Sequence, residues 1–255
     1  MKDQKKNVLI IIPAYNEAGN ISGFLEKLEQ SSLMEQADIL VMNDASTDQT
    51  REIVESRHHT VVTHVFNLGY GTGLQVGYKY AVKHGYEYVI QMDADGQHDA
   101  CNAQIIYENL TSGSRPDIVL GSRFLPGSVA YKTTLMKKIA YNLFRFLIRL
   151  GTGRKIMDPT TGLQGLSRRA FSYYAQYNHF DDKYPDANMI MQMLLLGFRV
   201  EEIPAVMHIR TEGVSMHSGL KPVIYMFRMM FSIIAVWMRI RLYHVDERVT
   251  DEDTV

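Results

Sequence analysis

A chain of 255 residues, 46% hydrophobic and 22% charged, can enclose a complete core and fits one α/β domain. A formal net charge of −1 gives no long-range field to gather a polyanion, which excludes a general nucleic-acid binder and leaves any anion to be held by local groups. The single cysteine, Cys101, excludes an internal disulfide, and the start MKDQKKNVLIIIPAY lacks the apolar segment and cleavage site of a signal peptide; both features point to the cytosol.

Asn7 to Ile12 is a run of bulky aliphatics closed by Pro13, a pattern that predicts a buried strand of a parallel sheet. A helix from Ala18 to Gln30 follows, then a strand from Ile39 to Met42. The polar cluster Asn43 to Asp48 comes next, with Ser46 or Thr47 placed to cap a helix that runs to Arg57. Thr60 to Val65 supplies a third strand, Gly73 to His84 a helix, and Tyr86 to Met92 a fourth strand that runs into Asp93-Ala94-Asp95. A helix over Asp99 to Ser112 and a strand over Asp117 to Gly121 complete the alternating part.

The next predicted helix, Thr133 to Leu150, carries Leu135, Ile139, Leu143, Phe146 and Leu150 on one face. Lys138, Arg145 and Arg149 form a neighbouring stripe that faces water or an anion. After the loop Asp158-Pro159-Thr160-Thr161-Gly162 come a short helix near Arg168, a helix over Asp186 to Leu196, a strand over Arg199 to Ile209 and a final helix over Leu220 to Tyr243. Pro222 to Met238 contains Arg228 and is shorter than the roughly 20 apolar residues of a spanning helix, so a surface-lying or protein-buried helix is expected. The alternation implies a mainly parallel sheet covered on both faces, with ligands at the carboxyl ends of its strands.

The strongest chemical signal is Asp93-Ala94-Asp95 at a strand end, where paired carboxylates can seat a hard divalent cation, Mg2+ or Mn2+, that also takes phosphate oxygens. Gln97, His98 and Asp99 follow within reach; the alternative is a solvated turn in which Asp99 caps the next helix. Asp44 can accept from a nucleobase or ribose, and Pro13-Ala14-Tyr15-Asn16-Glu17 offers backbone groups and an aromatic edge to the same ligand, although such loops are also ordinary caps. The glycine-rich Asn67 to Gly73 either exposes N–H groups to an anion or makes a tight turn, and its spacing does not match a phosphate loop. Arg123 and Arg210 each follow a strand, where a guanidinium can grip a phosphate.

Ile12-Pro13-Ala14-Tyr15-Asn16-Glu17, Asn43 to Thr50, Met92 to Asp99, Gly121-Ser122-Arg123-Phe124 and Asp158 to Gly162 together resemble the family 2 glycosyltransferases of GT-A fold, and among them the dolichol-phosphate mannose synthase and polyprenyl-phosphate glycosyltransferase branch. The resemblance, over residues 7–217, implies a single Rossmann-like domain over 1–217 with a mainly parallel mixed sheet flanked by helices; the residues beyond it read as an amphipathic helix over 218–245 and an acidic tail over 246–255. It implies that Pro13, Ala14, Tyr15, Glu17 and Asp44, with Asp93, Ala94 and Asp95, hold a UDP-, GDP- or dTDP-sugar. Asp93, Asp95 and Gln97 would bind the metal, and Arg123, Arg210 and Ser215 would meet the acceptor or donor phosphate.

The expected activity is inverting transfer of a hexose to a polyprenyl phosphate or lipid-linked saccharide in cell-surface polysaccharide or glycolipid synthesis, with Asp158 or Asp186 as general base if the acceptor is a hydroxyl. The expected place is the cytoplasmic face of a membrane, through the basic helix around Lys138, Arg145 and Arg149 and through Phe227, Phe231, Ile234 and Trp237; the alternative is that both faces pack on the core or on a second subunit, as in a homodimer. A non-catalytic scaffold that binds nucleotide sugars is the alternative function, and the intact pair Asp93 and Asp95 argues against it.

Overall fold

The computed structural model describes residues 6–128, 135–208 and 221–243. One mixed sheet of seven strands organises the chain. Its strands in chain order are β1 (Val8–Ala14), β2 (Ala37–Asn43), β3 (Thr60–Thr63), β4 (Tyr88–Gln91), β5 (Ile118–Ser122), β6 (Gln164–Ser167) and β7 (Val200–Pro204). They lie in the order β3-β2-β1-β4-β6-β5-β7, all parallel except β6, which runs antiparallel to both β4 and β5. The order reverses between β1 and β4, and at such a switch point the crossovers leave in opposite directions and open a crevice at the carboxyl edge.

The helices are α1 (Ala18–Glu29), α2 (Thr50–Ser56), α3 (Tyr70–His84), α4 (Cys101–Leu110), α5 (Leu135–Thr152), α6 (Arg168–Ala175), α7 (Ala187–Leu195) and α8 (Lys221–Arg241), with a 3-10 turn at Ser32–Glu35. Strand alternation divides the core into two layers. Val8, Ile10 and Ile12 of β1 pack with α1 and α4 on one face, while Leu9 and Ile11 pack with α3, α6 and α7 on the other. All of these β1 side chains are at most 1% exposed, and each fully buried aliphatic is worth roughly 1.5–3 kcal/mol.

Predicted and observed elements agree in order and type, with differences at the ends and in the second half. β6 was not expected: its sequence, Gln164-Gly165-Leu166-Ser167, is short and half polar, and it is a strand because β4 and β5 flank it. The predicted strand over Arg199 to Ile209 is shorter, ending at Pro204, and beyond it Met207 makes a single bridge to His98. Neither Ser46 nor Thr47 caps α2. Asp48 accepts from the Thr50 N–H at 3.0 Å, and the Ser46 and Thr47 side chains bond to Asn16 instead.

The long helix α5 buries Ala140, Phe144 and Ile148, so the predicted apolar face is largely outside: Leu135, Ile139, Phe146 and Leu150 are 49–75% exposed. Arg145 does not belong to an outward basic stripe. Its Nε donates to the Met157 carbonyl at 2.6 Å and its guanidinium lies 4.5 Å from the Phe124 ring centre.

Helix α8 packs on α5 and α7 through Met229 and Ile233, while Ile224, Phe227, Phe231, Ile234, Met238 and the following Leu242 are exposed. Val223–Arg241, with mean hydropathy 1.6, is the one helix long and apolar enough to cross a membrane among the described residues.

Candidate active site

The first two strand ends are laced together. Asn16, at φ 55, donates its N–H to Ser46 Oγ, Glu17 N donates to Thr50 Oγ1 at 2.9 Å, and Ala18 N donates to Asp48 Oδ2 at 3.0 Å. Burial pushes the Asp48 carboxyl up, but hydrogen bonds from Thr50 and Ala18 outweigh it and hold its pKa below the ordinary value. Ala14 is buried in this seam and Tyr15 stands 48% exposed above it. The tip of β1 is thus a rigid shelf with an aromatic edge.

Asp44 is committed within the protein. Its Oδ1 receives His64 Nδ1 at 2.9 Å and Leu68 N at 2.8 Å, and its Oδ2 receives Gly69 N at 2.9 Å. A carboxylate oxygen accepts two hydrogen bonds, so Oδ2 retains one direction for a ligand N–H or hydroxyl.

The same bonds decide the role of the glycine-rich segment. Its Leu68 and Gly69 N–H groups serve Asp44, and the Thr72 N–H serves the Asp182 carbonyl at 3.0 Å, so these donors do not form an anion cradle. Gly71 is required by close approach, because a Cβ there would overlap the Asp181–Asp182 backbone.

Beyond β4, Asp93 Oδ1 accepts from Tyr70 Oη at 2.9 Å and Oδ2 lies 3.4 Å from His98 Nε2. Burial raises the Asp93 carboxyl, and His98, Tyr70 and Arg123 together outweigh that effect and keep it below its ordinary pKa, hence ionised at neutral pH. Gly162 leaves no space for a side chain, since its Cβ would overlap Asp93 Oδ2. Asp95 Oδ1 accepts the Gln97 N–H at 3.0 Å.

Asp99 turns away from this pair: it accepts the Cys101 N–H at the start of α4 and lies 2.7 Å from His208 Nε2, so it is a helix-start acceptor. No cluster of three or more His, Cys, Asp and Glu side chains encloses a metal-sized point among the described residues. Two carboxylates at a strand end fit a hard cation that takes its remaining oxygens from a diphosphate and water.

Asp158 is fully buried and bound to Arg123 along both oxygens: Arg123 N and Nε meet Oδ2 at 2.9 and 2.7 Å, and Nη2 meets Oδ1 at 2.7 Å. Both oxygens of Asp158 are thus engaged by Arg123, and the pair holds the guanidinium in place. Nη2 also reaches the Thr160 carbonyl, which ties the guanidinium to the loop before β6. Glu202 of β7 accepts the N–H groups of Met157 and Asp158, both at 2.7 Å, so the buried acid sits in a fixed backbone.

Asp186 precedes α7 but makes no side-chain cap bond; its Oδ2 accepts from Tyr225 Oη of α8 at 2.5 Å. Loss of solvent pushes its pKa from 3.8 up to about 6, with Tyr225 and Arg123 opposing and Asp93 adding to the rise. Asp93, Arg123 and Asp186 therefore lie near enough for their charges to act on one another. Arg210 and Ser215 lie outside the described residues.

Sequence reasoning missed Tyr70, Gln91 and Tyr225. Gln91, a lone amide in an otherwise apolar strand, carried the signal; Tyr225 carried none, since its partner is 39 residues away.

The profile of glycosyl transferase family 2 matches residues 9–174. The chain is 27% identical over 227 residues to polyprenol monophosphomannose synthase of Mycolicibacterium smegmatis, covering 84% of this chain and 82% of that one. It is 28% identical over 220 residues to undecaprenyl-phosphate mannosyltransferase of Micrococcus luteus, covering 83% and 88%. The fold is similar to that of glucosyl-3-phosphoglycerate synthase from Mycobacterium tuberculosis in complex with Mn2+, UDP and phosphoglyceric acid, with TM-score 0.68, 14% identity and coverage of 91% and 78%. The matched residues include the strand-end loops carrying Asp44, Asp93, Asp95, Arg123 and Asp158, and the chain belongs to glycosyl transferase family 2.

Proposed function

We propose that this glycosyltransferase moves a hexose, with inversion, from a UDP-, GDP- or dTDP-sugar to a polyprenyl phosphate or lipid-linked saccharide. The observation that carries the reading is Asp93, bonded to Tyr70 and held ionised just past β4 beside the switch point, with anchored Arg123 and Asp186 near enough for their charges to act on it. The lipid-phosphate transferases of similar sequence support the acceptor class.

Asp93 and Asp95, with Gln97, would hold Mg2+ or Mn2+, which supplies positive charge to the departing diphosphate. Pro13, Ala14, Tyr15, Glu17 and Asp44 would line the base and ribose, and Arg123, fixed by Asp158, would present its charge to a phosphate without reorganising. Arg210 and Ser215 remain part of the proposed phosphate site.

The acceptor oxygen attacks C1 opposite the leaving group. A phosphate acceptor arrives ionised, whereas a hydroxyl needs a base, and Asp186, with its pKa near 6, is suited to that task.

A donor screen with Mn2+ tests the reading. Release of nucleoside diphosphate should depend on the lipid acceptor, and no release from any UDP-, GDP- or dTDP-sugar would overturn it. Asp186 is deprotonated above its pKa, so with a hydroxyl acceptor the rate should fall as pH drops through about 6, and Asp186→Asn should abolish that limb with a loss of roughly 10²–10⁴-fold. With a phosphate acceptor the variant should retain turnover.

The location proposed is the cytoplasmic membrane face. One flank of α8 is in the core and the other presents Ile224, Phe227, Phe231 and Ile234; α5, which packs on α8, also exposes apolar residues together with Lys138 and Arg149. Such a pair of helices suits an interface rich in anionic lipid. In liposome flotation the protein should rise with anionic vesicles, and Phe227→Ser with Phe231→Ser should weaken binding about tenfold or more. Wild-type protein left at the bottom of the gradient would exclude the lipid surface and leave the second subunit.

A further inference from the structure

We propose that Tyr70 is a positioning residue that sets the metal-binding geometry of Asp93 from the donor loop. The inference rests on the reading of Asp93 as a metal ligand. Asp93 begins just past β4, where no ladder bond restrains its side chain; its orientation comes from its neighbours.

Tyr70 Oη donates to Oδ1 at 2.9 Å, and the direction is forced, because an ionised carboxylate only accepts. The acceptor side of the Tyr70 hydroxyl is filled by Gln91 Nε2 at 2.9 Å. The Gln91 amide cannot be reversed, since Nε2 also donates to the Gly162 carbonyl at 3.0 Å and a carbonyl has no proton to give. Gln91 Oε1 in turn accepts from the fully buried Tyr78 at 2.6 Å. The chain of bonds from Tyr78 through Gln91 to Tyr70 therefore runs in one direction and ends on Asp93.

The opposite side of the carboxylate is bounded by the Gly162 backbone, so the group is held from both sides. Tyr70 also connects two acidic groups that would meet opposite ends of a nucleotide. Asp44 receives the N–H groups of Leu68 and Gly69, and the next residue places its hydroxyl on Asp93. Gly69, at φ 98, makes the turn that lets consecutive residues face both. The segment 68–70 thus acts as a fixed spacer between the base end and the metal end of the donor site.

Partners of metal-ligating side chains commonly set affinity within a factor of 10–100. The test is calorimetric titration of Mn2+ into the protein with saturating UDP or GDP, alongside nucleotide binding without metal and a thermal melt. Tyr70→Phe should bind Mn2+ roughly 10–100-fold more weakly while metal-free nucleotide binding stays at the wild-type level. Tyr78→Phe, remote from the carboxylate, should give a smaller loss of the same kind, because Gln91 loses the donor that fixes its Oε1 while its amide nitrogen keeps only the Gly162 carbonyl and Tyr70 to hold it.

Wild-type Mn2+ affinity in Tyr70→Phe, with affinity lost in Asp93→Asn, overturns the proposal and leaves the metal site standing. Unchanged affinity in Asp93→Asn removes the metal reading itself and this proposal with it. If Tyr70→Phe does not fold, Tyr78→Phe decides: reduced affinity supports the relay and wild-type affinity overturns it.

Discussion

Asp95→Ala is expected to lower kcat/KM about a thousandfold, equivalent to ~4 kcal/mol of transition-state stabilisation. The effect is large because the negative charge on a leaving diphosphate grows as the sugar bond breaks, so a misplaced cation costs most at the top of the barrier. Asp95 Oδ1 also accepts the Gln97 N–H, so the substitution bears on the local turn as well as on the reaction. Steady-state kinetics beside a denaturant titration separates the two; wild-type turnover in Asp95→Ala would remove this residue from the proposed metal site.

Asp158→Ala should act in the opposite way, on stability first. The substitution leaves the Arg123 guanidinium, whose side chain is 14% exposed, without the carboxylate that meets it in two directions. Breaking a buried pair on one side strands the other charge, at a cost of roughly 3–5 kcal/mol. The midpoint of urea unfolding should fall accordingly, and activity should fall with it as Arg123 loses its orientation. If instead the midpoint is unchanged while kcat collapses, Asp158 acts on the reaction directly and its role as an anchor is wrong.

Much of the donor half was legible because its signals are local. The aliphatic runs at β1 and β2 are buried on both faces and need no knowledge of their partners, and Asp93-Ala94-Asp95 is placed by the strand that precedes it. The second half was less legible because its elements take their meaning from distant neighbours. Helix α5 is apolar on more than one side, and periodicity cannot tell which side will meet α7 and α8; the core took Phe144 and Ile148 and left Phe146 outside.

The acids were visible as acids, but their division of labour was not. Asp158 and Asp186 look alike in sequence, and only the folded chain sets Arg123 against the first and Tyr225 against the second. The glycine-rich run after β3 left an anion site and a tight turn equally open, and its close contact is with the Asp181–Asp182 backbone more than a hundred residues later.

The reversed direction of β6 bears on how the pocket wall can change. The parallel strands hand their following loops to the crevice, but here the chain arrives at the crevice before entering the strand, through the segment between Thr152 and Gln164. That segment brings Asp158 to Arg123 and Gly162 against Asp93, so a change in its length would shift the guanidinium and the carboxylate together. The one strand that runs backwards thereby couples two walls of the crevice that the parallel strands alone would leave independent.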